Sequence, residues 1–158
     1  AGSRRATGEW LLFLHADTIL QTGWRMEISE FMADPVNVER AATFRFALDD
    51  TSLSARRLEA LVAWRTHRLG LPYGDQGLLI HREFYRKLGG FPPWPLMEDV
   101  DLIRRIGRTR LSILKSSART SAARWQRDGW WLRSLRNISC LALYFLGVSP
   151  HLIRRLYD

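Results

Sequence analysis

Residues Trp10 to Leu14, WLLFL, form a short run of continuous hydrophobicity, the pattern of a strand covered on both faces in a parallel sheet. The run ends abruptly at His15, Ala16 and Asp17. Beyond it Trp24, Ile28, Phe31 and Met32 recur at helical spacing, and Asp34-Pro35 stops that helix. ATFRFAL then alternates, with Ala42, Phe44, Phe46 and Leu48 on one face, and reads as a half-buried strand. From Ser52 to Leu69 the helical period returns, with Leu58, Leu61, Val62 and Leu69 on one side and Gly70 as the cap. LPYGDQG is a loop, because Pro72, Gly74 and Gly77 break both periods. LLI reads as a short strand and REFYRKL as a short helix stopped by Gly89-Gly90. Further helices are predicted from about Glu98 to Ile106, from about Asp128 to Gly147 and after Pro150, with RLSIL and RTSAARW as strands between them. There is no internal repeat and no linker, so the pattern predicts a mixed α/β architecture in one domain, 1–158.

Composition narrows the class. A chain of 158 residues with 46% hydrophobic and 11% aromatic residues is built to bury a core, which excludes a disordered tail or low-complexity protein. Lys and Arg total 24 against 16 acids, a net charge of +8, and all the cations except Lys87 and Lys115 are arginines. Arginine forks suit phosphates, so nucleic acid, anionic lipid and nucleotide diphosphates are all candidate partners, while a solvated basic surface accounts for most of the arginines equally well. Cys140 is the only cysteine, which excludes a disulfide within the chain and a thiolate zinc site and suits a reducing compartment. The longest apolar run, Ile138 to Val148, is too short to span a bilayer, and the N-terminus lacks the apolar core of a signal peptide. The expected location is therefore cytoplasmic, or peripheral at the inner face of a membrane. NIS at Asn137 matches a glycosylation acceptor but falls in a helical pattern, where it reads as coincidence.

Several acids stand out against this basic background. Asp17 follows the buried run by three residues, and ligands in α/β sheets gather beyond the carboxyl ends of strands. An Asp opening the next turn, beside Thr18 and Gly23, accounts for the same spacing. In MEDVDLIRRI, a helix starting near Met97 puts Glu98, Asp101 and Arg105 on one polar face, whereas Asp99 aligns with Ile103 and Ile106 at spacings of four and seven. The helix dipole offers an explanation for Glu98 and Asp101 and is the favoured one for Asp101. A carboxylate on the buried stripe needs a pair, a ligand or a use, so Asp99 is the candidate general base. Asp75 and Gln76 lie in a loop where Gly74 and Gly77 let backbone approach a ligand, although a plain turn would look similar. Arg124 beside Trp125 in ARWQRDGWW is suited to clamping a diphosphate and stacking a ring, or equally to a surface arginine beside a core tryptophan.

In order along the chain, WLLFLHADT, YGDQGLLIHREFYRKLGGF, MEDVDLIRRI and SAARWQRDGW resemble the signature of family 2 glycosyltransferases of the GT-A fold, in particular a group of short bacterial members with an LHADT element. The resemblance covers essentially the whole chain. It implies a three-layer α/β/α nucleotide-diphospho-sugar transferase fold and an inverting hexosyl or related transfer to an acceptor hydroxyl. Asp17 matches the last acid of the family's Asp-x-Asp element, which holds a divalent metal, Mg²⁺ or Mn²⁺, against the donor diphosphate. His15 stands where the wider family usually has an acid, so the implied metal ligands are Asp17 and His15. Glu98 and Asp99 match the family's Glu-Asp pair, whose Asp is the base. Tyr73, Gly74, Asp75, Gln76 and Gly77 match the loop beside the sugar and acceptor, and Arg124 and Trp125 the end of the Gln-x-x-Arg-Trp element. Ser121 occupies the Gln position, so processivity is not implied.

The family's first two βαβ turns have no counterpart before AGSRRATGEW, which implies a chain truncated at its N-terminus. The expectations for such a chain are no measurable turnover and self-association along an open sheet edge. Partners implied are a nucleotide-diphosphate sugar and an acceptor of unspecified lipid or glycan type, with no nucleic acid. The rival reading is a basic module without catalysis that binds nucleic acid or a membrane surface through the amphipathic segment from Trp130 to Tyr157.

Overall fold

The computed structural model describes residues 2–157; Ala1 and Asp158, the ends of the range assigned to the domain, lie outside the described residues. The elements are α1 (Gly2–Arg5), β1 (Trp10–Phe13), β2 (Thr18–Leu20), α2 (Trp24–Ala33), β3 (Ala41–Leu48), α3 (Leu53–Leu69), β4 (Leu78–His81), α4 (Arg82–Lys87), α5 (Glu98–Ile106), β5 (Leu111–Thr120), α6 (Ala123–Asp128), α7 (Trp130–Phe145) and α8 (Pro150–Tyr157). The protein is mixed α/β, as the periodicities predict.

The strands form one sheet in the order β1-β4-β3-β5-β2. β3 and β5 are parallel, while β4 runs antiparallel to both β1 and β3, and β2 antiparallel to β5. β1, β3 and β5 therefore point the same way. Because side chains alternate along a strand, the two sheet faces feed separate cores. Leu11, Ala41, Leu78 and Ile80 pack with Phe84, Leu102, Ile103 and Ile106 of α4 and α5 on one face. Ala42 and Leu79 pack with Phe31 of α2 on the other, joined by the half-buried Trp10, Leu12, Ile28 and Met32. A third cluster joins Phe46 and Leu48 to Ala55, Leu58 and Val62 of α3, with Trp125 and Trp130 against it.

Four expectations need correction. WLLFL sends side chains to both faces but is an edge strand paired antiparallel with β4; only Leu11 is fully buried, and Leu14 is exposed. ATFRFAL is not half-buried: β3 lies between β4 and β5, and only Arg45 and Ala47 escape burial. In α3 the buried stripe is Ala55, Leu58, Val62 and Thr66, leaving Leu61 and Leu69 exposed. Thr66 takes the inner position because its hydroxyl donates to Gln76 Oε1 at 3.0 Å. The ends of α3 match the sequence: Ser52 Oγ accepts from the Ala55 N–H, and Gly70 closes the helix at φ 63°. RTSAARW does not stay extended. β5 ends at Thr120 and α6 begins at Ala123, because Asp49 Oδ1 accepts the Ala122 N–H at 2.6 Å and turns the chain off the sheet.

β2 has no counterpart in the predicted elements, and it explains how the site is assembled. β1 and β2 are consecutive in sequence yet occupy opposite edges of the sheet. Four strand spacings amount to about 19 Å, slightly more than the roughly 18 Å that the five-residue step from Phe13 to Thr18 could reach fully extended. That step is not extended, since the Thr18 N–H donates to the His15 carbonyl at 3.1 Å. The sheet must curl to bring its edges together, and the His15–Thr18 turn crosses over the carboxyl ends of β1, β3 and β5.

Candidate functional site

Strand register delivers the first residues. Phe13 pairs with Leu78, so His15, just beyond β1, lies against the loop that precedes β4. A Cβ on Gly74 would sit 2.7 Å from His15 Nε2 and 3.3 Å from Asp99 Oδ2. Glycine lets these three segments meet without displacing the exposed His15 ring or the Asp99 carboxylate. On the other edge Thr18 pairs with Thr120, their hydroxyls 2.8 Å apart, so Asp17 faces the chain leaving β5. There α6, held by Asp49 and by Gln126 Nε2 donating to Asp50 Oδ2 at 2.7 Å, presents Arg124 at 3.7 Å from Asp17.

The result is a cavity of about 320 Å³ lined by His15, Asp17, Tyr73, Gly74, Asp75, Asp99, Arg124 and Trp125, with Met97, Thr120 and Ser121 between them. These residues come from four separate stretches of sequence. A second cavity of about 220 Å³ shares His15, Tyr73, Gly74 and Asp99 and adds Glu98 and Gly77. Gln76 is the exception among the expected residues. Its side chain is buried away from the cavity, donating to the Phe44 carbonyl at 3.0 Å and accepting from Thr66, and it shapes the loop from below.

Asp99 sits at the N-terminus of α5, half-buried at the edge of the apolar stripe. Its Oδ2 accepts from the Gly74 N–H and its Oδ1 from the Val100 N–H, both at 2.7 Å. Each oxygen keeps a further lone pair for a proton donor in the cavity. Met97, just before the helix, has φ 66°, the one positive value outside glycine among the described residues. Such a backbone costs a non-glycine residue about 1 kcal/mol and is characteristic of functional loops. Asp101, by contrast, is taken by Arg105 at 2.5 Å and serves the helix.

Burial acts on the neighbouring acids. Asp75 has its pKa pushed up to about 6, mainly by desolvation, with the Asp99 charge adding to the rise and Arg65 and His15 opposing it. Its Oδ1 is buried without a hydrogen-bond partner. Burial also raises Glu98, again reinforced by Asp99, and raises the Tyr73 phenol.

Sequence reasoning missed several groups of the site. Arg65 does not line the cavity but supports Tyr73, stacking on its ring at 3.4 Å and donating to the Leu71 carbonyl, and nothing local in α3 marks it. Arg133, Asn137 and Cys140 of α7 close the opposite wall with Tyr157 of α8. Their spacing of four and seven, a polar stripe on an apolar helix, was the available signal.

Among the described residues, no group of three or more His, Cys, Asp or Glu side chains is disposed to hold a metal ion. Asp17 offers a hard carboxylate and His15 a neighbouring nitrogen; this donor set fits Mg²⁺ or Mn²⁺ only where a ligand's phosphate oxygens supply the remaining positions. No family model matches the chain, and neither a curated protein nor a solved structure matches it.

Proposed function

We propose that the protein is an inverting glycosyltransferase of the GT-A type, moving a sugar from a nucleotide-diphosphate donor to an acceptor hydroxyl. The observation that carries this reading is the meeting of Asp17 with Arg124 and of Asp99 with Asp75 in one cavity at the carboxyl ends of β1 and β5. A basic module without catalysis has no use for three acids lining one cavity.

The reaction follows from the placement of charge. Asp99 accepts the proton of the acceptor hydroxyl, whose oxygen bonds to the anomeric carbon as the bond from that carbon to the diphosphate breaks. Arg124 places a guanidinium where the leaving diphosphate gathers negative charge. A divalent ion on Asp17 and His15, when bound, would neutralise the same charge. Burial raises Asp75, so it holds a proton more readily than an exposed carboxyl when it meets a sugar oxygen, while Tyr73, fixed by Arg65, offers a ring face.

A panel of nucleotide diphosphates and nucleotide sugars, with and without Mn²⁺, is read by thermal shift. Binding by the wild type and by Asp99→Asn is expected, with transfer in any active form lost only in the variant. Asn keeps an oxygen to accept from Gly74 but cannot take a proton. No stabilisation by any nucleotide, or transfer by Asp99→Asn near the wild-type rate, rejects the reading.

A further inference from the structure

α7 has two faces of opposite character. Arg133, Asn137 and Cys140 line the cavity, and Cys140 is fully buried. Trp131, Leu135, Ile138, Ala142 and Phe145, spaced by four, three, four and three, form the opposite stripe. That stripe faces solvent: Trp131 is 80% exposed, Leu135 63% and Ile138 54%. Leu146 at the helix end and Leu152 and Leu156 of α8 extend the exposed apolar surface. A 16-residue helix is about 24 Å long, so this is a continuous strip and not an isolated side chain.

Charge selects what covers it. From Gly129 to Tyr157 the sequence contains no Asp or Glu; Arg133 is turned to the cavity and paired with Asp128 at 2.7 Å, while Arg136, Arg154 and Arg155 are the other arginines of the segment. The whole chain carries +8. A second copy would bring like charge to like, whereas an anionic lipid surface offers apolar depth for the strip and counter-charge for its flanks. No helix among the described residues is long and apolar enough to cross a membrane, so the contact is one of lying on the surface. We propose that the exposed face of α7, extended by α8, docks on anionic phospholipid membranes, with Trp131, Leu135 and Ile138 entering the interface. This inference does not depend on the transferase reading.

Flotation of the full chain with vesicles of equal parts phosphatidylglycerol and phosphatidylcholine, beside pure phosphatidylcholine, tests it. Binding is expected on the anionic vesicles, falling as salt is raised. The double substitution Leu135→Gln with Ile138→Gln, at exposed helical sites and without change of charge, is expected to weaken binding about tenfold or more. Met26→Gln, at a still more exposed apolar site on α2 (78%), serves as the control and should bind as wild type. Circular dichroism establishes that the variants remain folded. The proposal is overturned by equal binding of wild type and double variant, by equal binding to both lipid compositions, or by no binding at all. Self-association lost in the double variant without vesicle binding would overturn it in favour of a second copy, and tighter duplex-DNA binding lost in the same variant in favour of nucleic acid.

Discussion

At the scale of single residues, Asp75 shows how burial turns an ordinary turn residue into a proton-holding group. Its folded pKa of about 6 lies above the 3.8 of the free side chain, so the folded state binds the proton more tightly than the unfolded one. Stability should therefore fall as pH rises from about 4 through 6, by an amount up to about 3 kcal/mol for a shift of this size. Asp75→Asn removes the ionisation and should melt higher than wild type at pH 8, with the gap closing towards pH 4. A gap independent of pH would mean that the carboxyl is not held in this way. Gly74 is the second residue whose identity is decided by its neighbours. Ala there must shift the exposed His15 ring, so Gly74→Ala should weaken nucleotide binding, read by titration calorimetry, while its melting temperature stays close to wild type. Asp99 was legible in the sequence because helical spacing alone sets it on the apolar stripe. Arg65 was not, because its use depends on where Tyr73 lies.

At the scale of elements, α5 and α3 follow from local patterns, down to the Ser52 and Gly70 caps of α3. α6 does not. Ala-Ala-Arg-Trp after a strand gives no local reason to coil, and the turn comes from Asp49 capturing the Ala122 N–H across the fold. Asp49→Ala should cost about 1–2 kcal/mol in urea unfolding, since it leaves a largely buried donor unpaired. It should also loosen Arg124 and weaken nucleotide diphosphate binding beyond what the stability loss explains. Unchanged binding would show that Arg124 is not positioned by this contact.

At the scale of the whole molecule, the curled sheet leaves β1 paired on one side only among the described residues. An open strand edge is a template for pairing, but a net charge of +8 opposes the approach of two copies. Sedimentation velocity should therefore show mass rising with protein concentration and rising further with salt, the reverse of the salt effect expected for lipid binding. This association should persist in the Leu135→Gln, Ile138→Gln variant, because it uses a different surface. A sedimentation coefficient constant with concentration and salt would show that the β1 edge is protected.

The sequence by itself determined the α/β class, the placement of most elements, the inward setting of Asp99 and the grouping of acids at breaks in the hydrophobic pattern. These are properties of period and composition, readable within a window of a few residues. Only the tertiary structure decided that β1 and β2 lie at opposite edges of a curled sheet, that Asp17 therefore faces Arg124, and that Gln76 turns into the core while its neighbours line the cavity. Strand direction, order and register are set by pairing between distant segments, and a period-two pattern is the same whichever partner a strand takes.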